Sequence, residues 1–178
     1  MKRVLAACGT ASAISIALFA VCGRVVEASD DNSRAIDVIT ARRVMMSAIG
    51  RNMDELNAMA QPGTDLEPAE AGEHADNIAT MLGVFPHLFP ADSNIWSKQA
   101  DAENPAQVSL ALPFLWENFD DFYAEGKDAA ATAFAVTTSS NIEEFRQRVT
   151  QLQAACDSCH AQFRREEAPY VIPIPPAK

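Results

Sequence analysis

The chain has 178 residues, 48% of them hydrophobic, and a formal net charge of −10. That length suffices for one domain with a sizeable core, and no low-complexity tract argues for disorder. The acidic balance argues against nucleic acid as a partner, and abundant alanine with few β-branched residues favours helix over sheet.

The first segment reads as an address. A basic "MKR" precedes the weakly apolar run "VLAACGTASAISIALFAVCG", and Val26-Glu27-Ala28 resembles an A-x-A-type cleavage site. Residues 1–28 are therefore expected to be a signal peptide, cleaved on export to the periplasm. An uncleaved anchor is the competing reading, because Val4 to Cys22 is long enough to span a bilayer. Its many Ala, Ser, Gly and Thr residues make it a poor membrane helix. Lipid attachment at Cys22 is weaker still, since bulky Val21 precedes it. No later stretch is apolar enough to span, so no stable membrane insertion is expected after processing. Cleavage would remove Cys8 and Cys22, and loss of Lys2, Arg3, Arg24 and Glu27 would deepen the charge to −12. Only Cys156 and Cys159 would remain. A disulfide between them would suit the compartment but would close a tiny loop and stabilise little.

Four helical stretches follow within an expected domain of residues 29–168. The first runs from about Ser33 to Ala60, with Ile36, Ile39, Met46, Ile49, Met53 and Leu56 at helical spacing, until "QPGTD" ends it. The second opens at Pro68 and carries Ala71, Ala75, Ile78, Leu82 and Phe85. A long connection, expected to be irregular with at most one short helical turn, leads to a third helix starting near Pro113. Leu115, Phe119, Phe122, Ala129 and Ala133 share one of its faces. The fourth takes Asn141 as N-cap with Glu144 in a capping-box-like position. Its stripe is Phe145, Val149, Leu152, Cys156, Cys159 and Phe163, and Pro169 is expected to stop it. Four amphipathic helices predict an all-α, antiparallel four-helix bundle. The proline-rich tail, residues 169–178, has no functional reading.

On the fourth helix stands "CDSCH", a C-x-x-C-H motif, the attachment signature of a c-type heme. Two thiols three apart can reach the two vinyl groups of one porphyrin, and His160 is then presented to iron as an axial ligand. Three competing readings weaken on inspection. A thioredoxin-like dithiol wants a βαβ pattern that is missing. Structural zinc wants four ligands, and only His74 and His87 could join the cluster, both without metal spacing. Coincidence is the third.

With "CDSCHAQFR" near the C-terminus, "RRVMMSAIGRNM" in the first helix and "LPFLWENFDDF" opening the third, the chain resembles the class II cytochromes c, the cytochrome c′ family. The similarity spans most of residues 33–167. It implies one covalent heme c and an exported location. It also implies a choice between five-coordinate members that bind small gases and six-coordinate members that only transfer electrons.

That choice turns on the residue opposite His160. Members of the family with a methionine ligand take it from the first helix, four residues after an arginine, which here is Met46 after Arg42. Ile39, Met46 and Met53 recur every seven residues, so at about 100° per residue Met46 is central to the core face and Met45 points a quarter turn away. Met46 is the expected distal ligand, giving the His/Met-ligated branch. The competing role is adaptable core filler beside an open iron that binds nitric oxide or carbon monoxide. His87 is a less favoured sixth ligand.

Charge is segregated. Between residues 52 and 126 the only Lys or Arg is Lys98, against fourteen Asp and Glu. Arginines concentrate instead at Arg34, Arg42, Arg43 and Arg51 and at Arg146, Arg148, Arg164 and Arg165. Cross-helix ion pairs are expected to account for most of them. Arg42 or Arg43 is a candidate partner for a heme propionate, and a basic edge could orient a redox partner protein. Arg164, one turn after His160, matches a basic position common in the family. Some members of the family pair through their first two helices. Glu67, Glu70, Glu73 and Asp76 disfavour such a surface here and leave a homodimer open. No acid–base pair or nucleophile constellation argues for an enzyme. The sequence therefore predicts a periplasmic electron carrier.

Overall fold

A computed structural model describes the backbone of residues 14–166 and the side chains of residues 32–166. The chain from 167 onward, including the proline-rich tail, and residues 1–13 lie outside the described residues. The first helix, α1 (Ile14–Met59), is longer than the stripe alone suggests. It begins well before Ser33, because nothing in this region breaks a helix: the first proline in the chain is Pro62. The turn after it uses Gly63 at φ 85°, a left-handed conformation that glycine adopts at no steric cost. No helix among the described residues is long and apolar enough to cross a membrane.

Next come α2 (Pro68–Val84), α3 (Lys98–Glu103), α4 (Phe114–Glu117), α5 (Phe119–Thr137) and α6 (Ile142–Phe163). The four long helices form the bundle, with α2 packed against α1 and α5, and α5 against α6. α1 and α6 touch sparsely, which leaves room between them. Apart from one isolated bridge, Ala111 to Arg164, there is no β-structure among the described residues. The expected stripes are the buried ones: Ile39, Ile49, Met53 and Leu56 on α1, Ala75, Ile78 and Leu82 on α2, and Phe145, Val149 and Leu152 on α6.

Three expectations need correction. The third helix is interrupted at Asn118, whose backbone leaves helical geometry (φ −127°, ψ 46°), so α4 and α5 are separate. The long connection is more ordered than expected, with 3₁₀ turns at Phe85–Leu88, Ala91–Ser93 and Pro105–Gln107 as well as α3. Finally, α6 stops at Phe163 rather than running on to Pro169. Leu112 donates its N–H to the Phe163 carbonyl, and Arg165 donates its own to Leu110, so tertiary bonds draw the chain out of the helix.

The N-cap of α6 holds as expected: Asn141 Oδ1 accepts from the Glu144 N–H at 3.0 Å. Glu144 reaches Ser140 rather than Asn141, accepting from its N–H and hydroxyl at 2.8 and 2.6 Å. The core divides in two. An aliphatic cluster centres on Leu56, Ile78, Ala133 and Leu152. An aromatic cluster joins Phe85, Phe89, Phe122 and Phe163, with ring pairs such as Phe89–Phe122 at 4.8 Å between centroids. Edge-to-face pairs of this kind add about 1 kcal/mol each beyond their burial.

Candidate functional site

Between the two clusters lies a cavity of about 580 Å³, a size typical of small-molecule and cofactor sites. Met46 of α1 lines it, as do Cys156, Cys159 and His160 of α6. The cysteines join the two clusters: Cys156 packs on the aliphatic one and Cys159 on the aromatic one. Both thiols are free. Met45 and Met46 each touch both clusters, but only Met46 lines the cavity, in line with the seven-residue repeat.

Burial sets the chemistry of the motif. It raises the Cys156 thiol, helped by Asp157, and pushes Cys159 up to about 12, with Glu125 and Cys156 adding to the effect. Both are therefore protonated at neutral pH, unlike the thiolate of a reactive dithiol. Burial also lowers His160, with Arg164 acting in the same direction and Asp157 opposing it. A neutral imidazole with a free ring lone pair is the form that binds a metal. No group of three His, Cys, Asp or Glu residues among the described residues could hold a metal ion by itself, which disfavours the structural zinc reading.

Two arginines complete the site from α1. Arg42 is buried and lines the cavity, donating from Nη2 to the Ser93 carbonyl at 3.1 Å. Its guanidinium stacks 4.4 Å from the centre of the Phe89 ring, and Trp116 lies 5.9 Å away. Burial, and secondarily Arg43, lowers its pKa to about 10. Arg43 donates to the carbonyls of Pro105 and Val108 at 2.6 and 3.1 Å. Arg42 Nη1 and Arg43 Nε are buried without a protein partner. A c-type heme fits this set: an apolar cavity, two protonated thiols three apart, a neutral histidine beside them and buried guanidinium donors open to a carboxylate.

Other expected residues lie elsewhere. His87 is exposed in a 3₁₀ turn and packs edge-on against Tyr123 at 5.7 Å, outside the cavity. His74 shares a 2.9 Å hydrogen bond with Asn52 and is likewise outside. Arg164 lines the cavity at its exposed edge, as the cap of α6. The expected cross-helix ion pairs do not describe Arg146 and Arg148. Both pair with carboxylates on their own helix, and Arg146 also caps α1 by donating to the carbonyls of Ala60 and Gln61.

Sequence reasoning missed Glu125. It lines the cavity, Gln162 Nε2 donates to its Oε1, and its Oε2 is buried without a partner. A signal was available: Glu125 falls three residues after Phe122 and four before Ala129, on the buried stripe of α5. Gly126 beside it also lines the cavity, where a Cβ would sit 2.9 Å from Pro86 Cγ.

Comparison with known proteins identifies relatives of the chain as a whole. The family model described as Cytochrome C' matches residues 37–164. Cytochrome c-554 of Cereibacter sphaeroides is 29% identical over 133 residues, covering 73% of this chain and 82% of that protein. Cytochrome c-556 of Agrobacterium tumefaciens is 31% identical over 129 residues, covering 71% and 95%. Among solved structures, cytochrome c′ from Rhodopseudomonas palustris superposes with a TM-score of 0.63 at 25% identity, covering 74% of this chain and 98% of that one.

Proposed function

Because the chain belongs to the cytochrome c′ family, we propose that it is an exported c-type cytochrome carrying single electrons, its heme iron held between His160 and Met46. Covalently bound heme c is the cofactor of this family and supplies a one-electron couple at iron. The residues set everything around that couple. Cys156 and Cys159 hold the macrocycle through thioethers. His160, kept neutral by burial, offers a ring nitrogen from the proximal side. Met46 offers a soft sulfur from α1, which raises the potential and closes the site to gases. Arg42 or Arg43 pairs a heme propionate, and Arg164 adds positive charge at the proximal edge.

The observation that carries this reading is one cavity shared by Met46, Cys156, Cys159 and His160, from which Met45 is absent. The periplasm is the compartment we assign, on the reading of residues 1–28 as a leader. A redox titration of the purified holoprotein tests the carrier. The heme is expected to stay attached after denaturation and to titrate as a reversible one-electron couple. Loss of heme on denaturation, or an irreversible couple, would refute it.

A second reading has an observation of its own. Met46 packs against both core clusters, as a flexible core filler would. Iron would then stay open for nitric oxide or carbon monoxide. A mutant of cytochrome c′ from Alcaligenes xylosoxidans, a structural neighbour, has been solved as a nitric oxide complex. At 12% identity it speaks for a shared fold alone.

A further inference from the structure

We infer that the end of the bundle around Arg165, Trp96 and Phe114 is a docking surface for a redox protein that presents carboxylates around its own electron-transfer centre. The inference rests on the reading of the chain as a heme electron carrier, and it names where the electron leaves.

The segregation of arginine favours an acidic partner at this end of the bundle. Helices α2 and α5 are acidic, and residues 52–126 hold fourteen carboxylates against Lys98. At one end of the bundle, arginines from α1 and from the end of α6 meet on one loop segment. Arg43 donates to Pro105 and Val108. Arg164 bridges Ala111 through its backbone, and the Arg165 N–H donates to the Leu110 carbonyl at 2.7 Å. The Arg165 guanidinium lies 4.1 Å from the centre of the Trp96 ring, which fixes its position. Arg42, next to Arg43 on α1, is buried. The carboxylates of the segments that form this end are Asp92, Asp101, Glu103, Glu117 and Glu166, of which Glu103 accepts from Gln99.

The same end offers a short aromatic path. Phe163 is buried and lines the cavity. Phe114 stacks on it with centroids 5.9 Å apart and planes 23° from parallel, yet Phe114 is 47% exposed. The pair thus connects the cavity wall to solvent, and exposed Trp96 stands beside the arginines. Exposed aromatics and arginine are residue types that concentrate at protein interfaces. A cationic rim of this kind speeds encounter with an anionic partner and repels a cationic one. In the transfer itself, ferrous heme loses one electron, which reduces the oxidised centre of the partner.

The test needs no knowledge of the natural partner. Hexacyanoferrate(III), an anion, takes one electron from the ferrous holoprotein and becomes hexacyanoferrate(II). A docking surface of the proposed sign makes this reaction several-fold slower as ionic strength rises from ~0.01 M to ~1 M, although the whole protein is acidic. Arg165→Glu is expected to slow the low-salt reaction several-fold, and Lys127→Glu, on α5 against Tyr123, to leave it within twofold. Arg165→Gln, a milder change, is expected to fall between wild type and Arg165→Glu with an unchanged heme spectrum. A rate that rises with salt, or an Arg165→Glu variant no slower than Lys127→Glu, would overturn the surface while leaving the carrier intact. If the rate per heme falls as protein concentration rises, a second copy covers the face, and that too would overturn it. Absence of any reversible couple would overturn both readings.

Discussion

The Arg42 guanidinium stacks 4.4 Å from the centre of the Phe89 ring, inside the cavity that Cys159 and His160 also line. A cation this buried, with one nitrogen lacking a protein partner, stabilises added negative charge beside it. Reduction adds such charge to a heme. Arg42→Gln is therefore expected to lower the heme midpoint potential. Lys98→Gln, outside the cavity, is expected to leave it unchanged. Equal potentials in Arg42→Gln and wild type would remove Arg42 from the account.

Glu125 predicts the opposite sign. Its unpartnered Oε2 is buried at the cavity wall, where the carboxylate also pushes the Cys159 thiol upward. Fixed negative charge favours ferric over ferrous heme, so Glu125→Gln is expected to raise the potential. The amide keeps the volume and leaves Gln162 a hydrogen-bonding partner, so helical content should not change. A fall in potential would mean that the carboxylate does not act as a local charge.

Gly126 sets how closely α5 approaches Pro86. Helix propensity alone would reward Gly→Ala by about 1 kcal/mol, but overpacking a tight contact costs about 1–3 kcal/mol. The contact at 2.9 Å decides the sign. Gly126→Ala is expected to destabilise by about 1 kcal/mol, and Gly72→Ala, with nothing within 4 Å, to stabilise by up to about 1 kcal/mol. Denaturant unfolding of the two variants checks both. A stabilised Gly126→Ala would show that Pro86 yields.

Hydrogen bonds from Ser140, followed by Arg148, hold the Glu144 carboxyl below its ordinary value. A depressed folded pKa gives stability that is present above the unfolded value, near 4.5, and is lost as pH falls through the folded one. Glu144→Gln should therefore cost stability at pH 7, with the difference from wild type closing at a pH below the folded value. Unfolding measured at neutral and acid pH tests this. A difference that persists undiminished in acid would assign the loss to packing.

Much of this fold was legible in the sequence, because helices repeat every 3.6 residues and their buried faces show in spacing alone. Ile39, Met46 and Met53 recur at seven, and the cavity follows from Met46, Cys156, Cys159 and His160 lying on two such faces. What spacing cannot carry is contact between distant segments. The end of α6 at Phe163 depends on Leu110 and Leu112, roughly fifty residues away, and no local breaker marks it. Arg146 pairs with Glu143 and also bonds the carbonyls of Ala60 and Gln61 just past α1, 86 and 85 positions earlier. Glu125 was hidden by its charge: a carboxylate on a buried stripe reads as a flank until an apolar cavity appears beside it.

The central claim is that Met46 and His160 close the iron between them. Absorption spectra of the purified protein in both oxidation states, repeated with carbon monoxide on the reduced form, test it most directly. The account predicts a low-spin ferric spectrum with the methionine-to-iron charge-transfer band and no prompt response to the gas. A high-spin spectrum that shifts at once with carbon monoxide would contradict it, leaving Met46 as packing and the iron open.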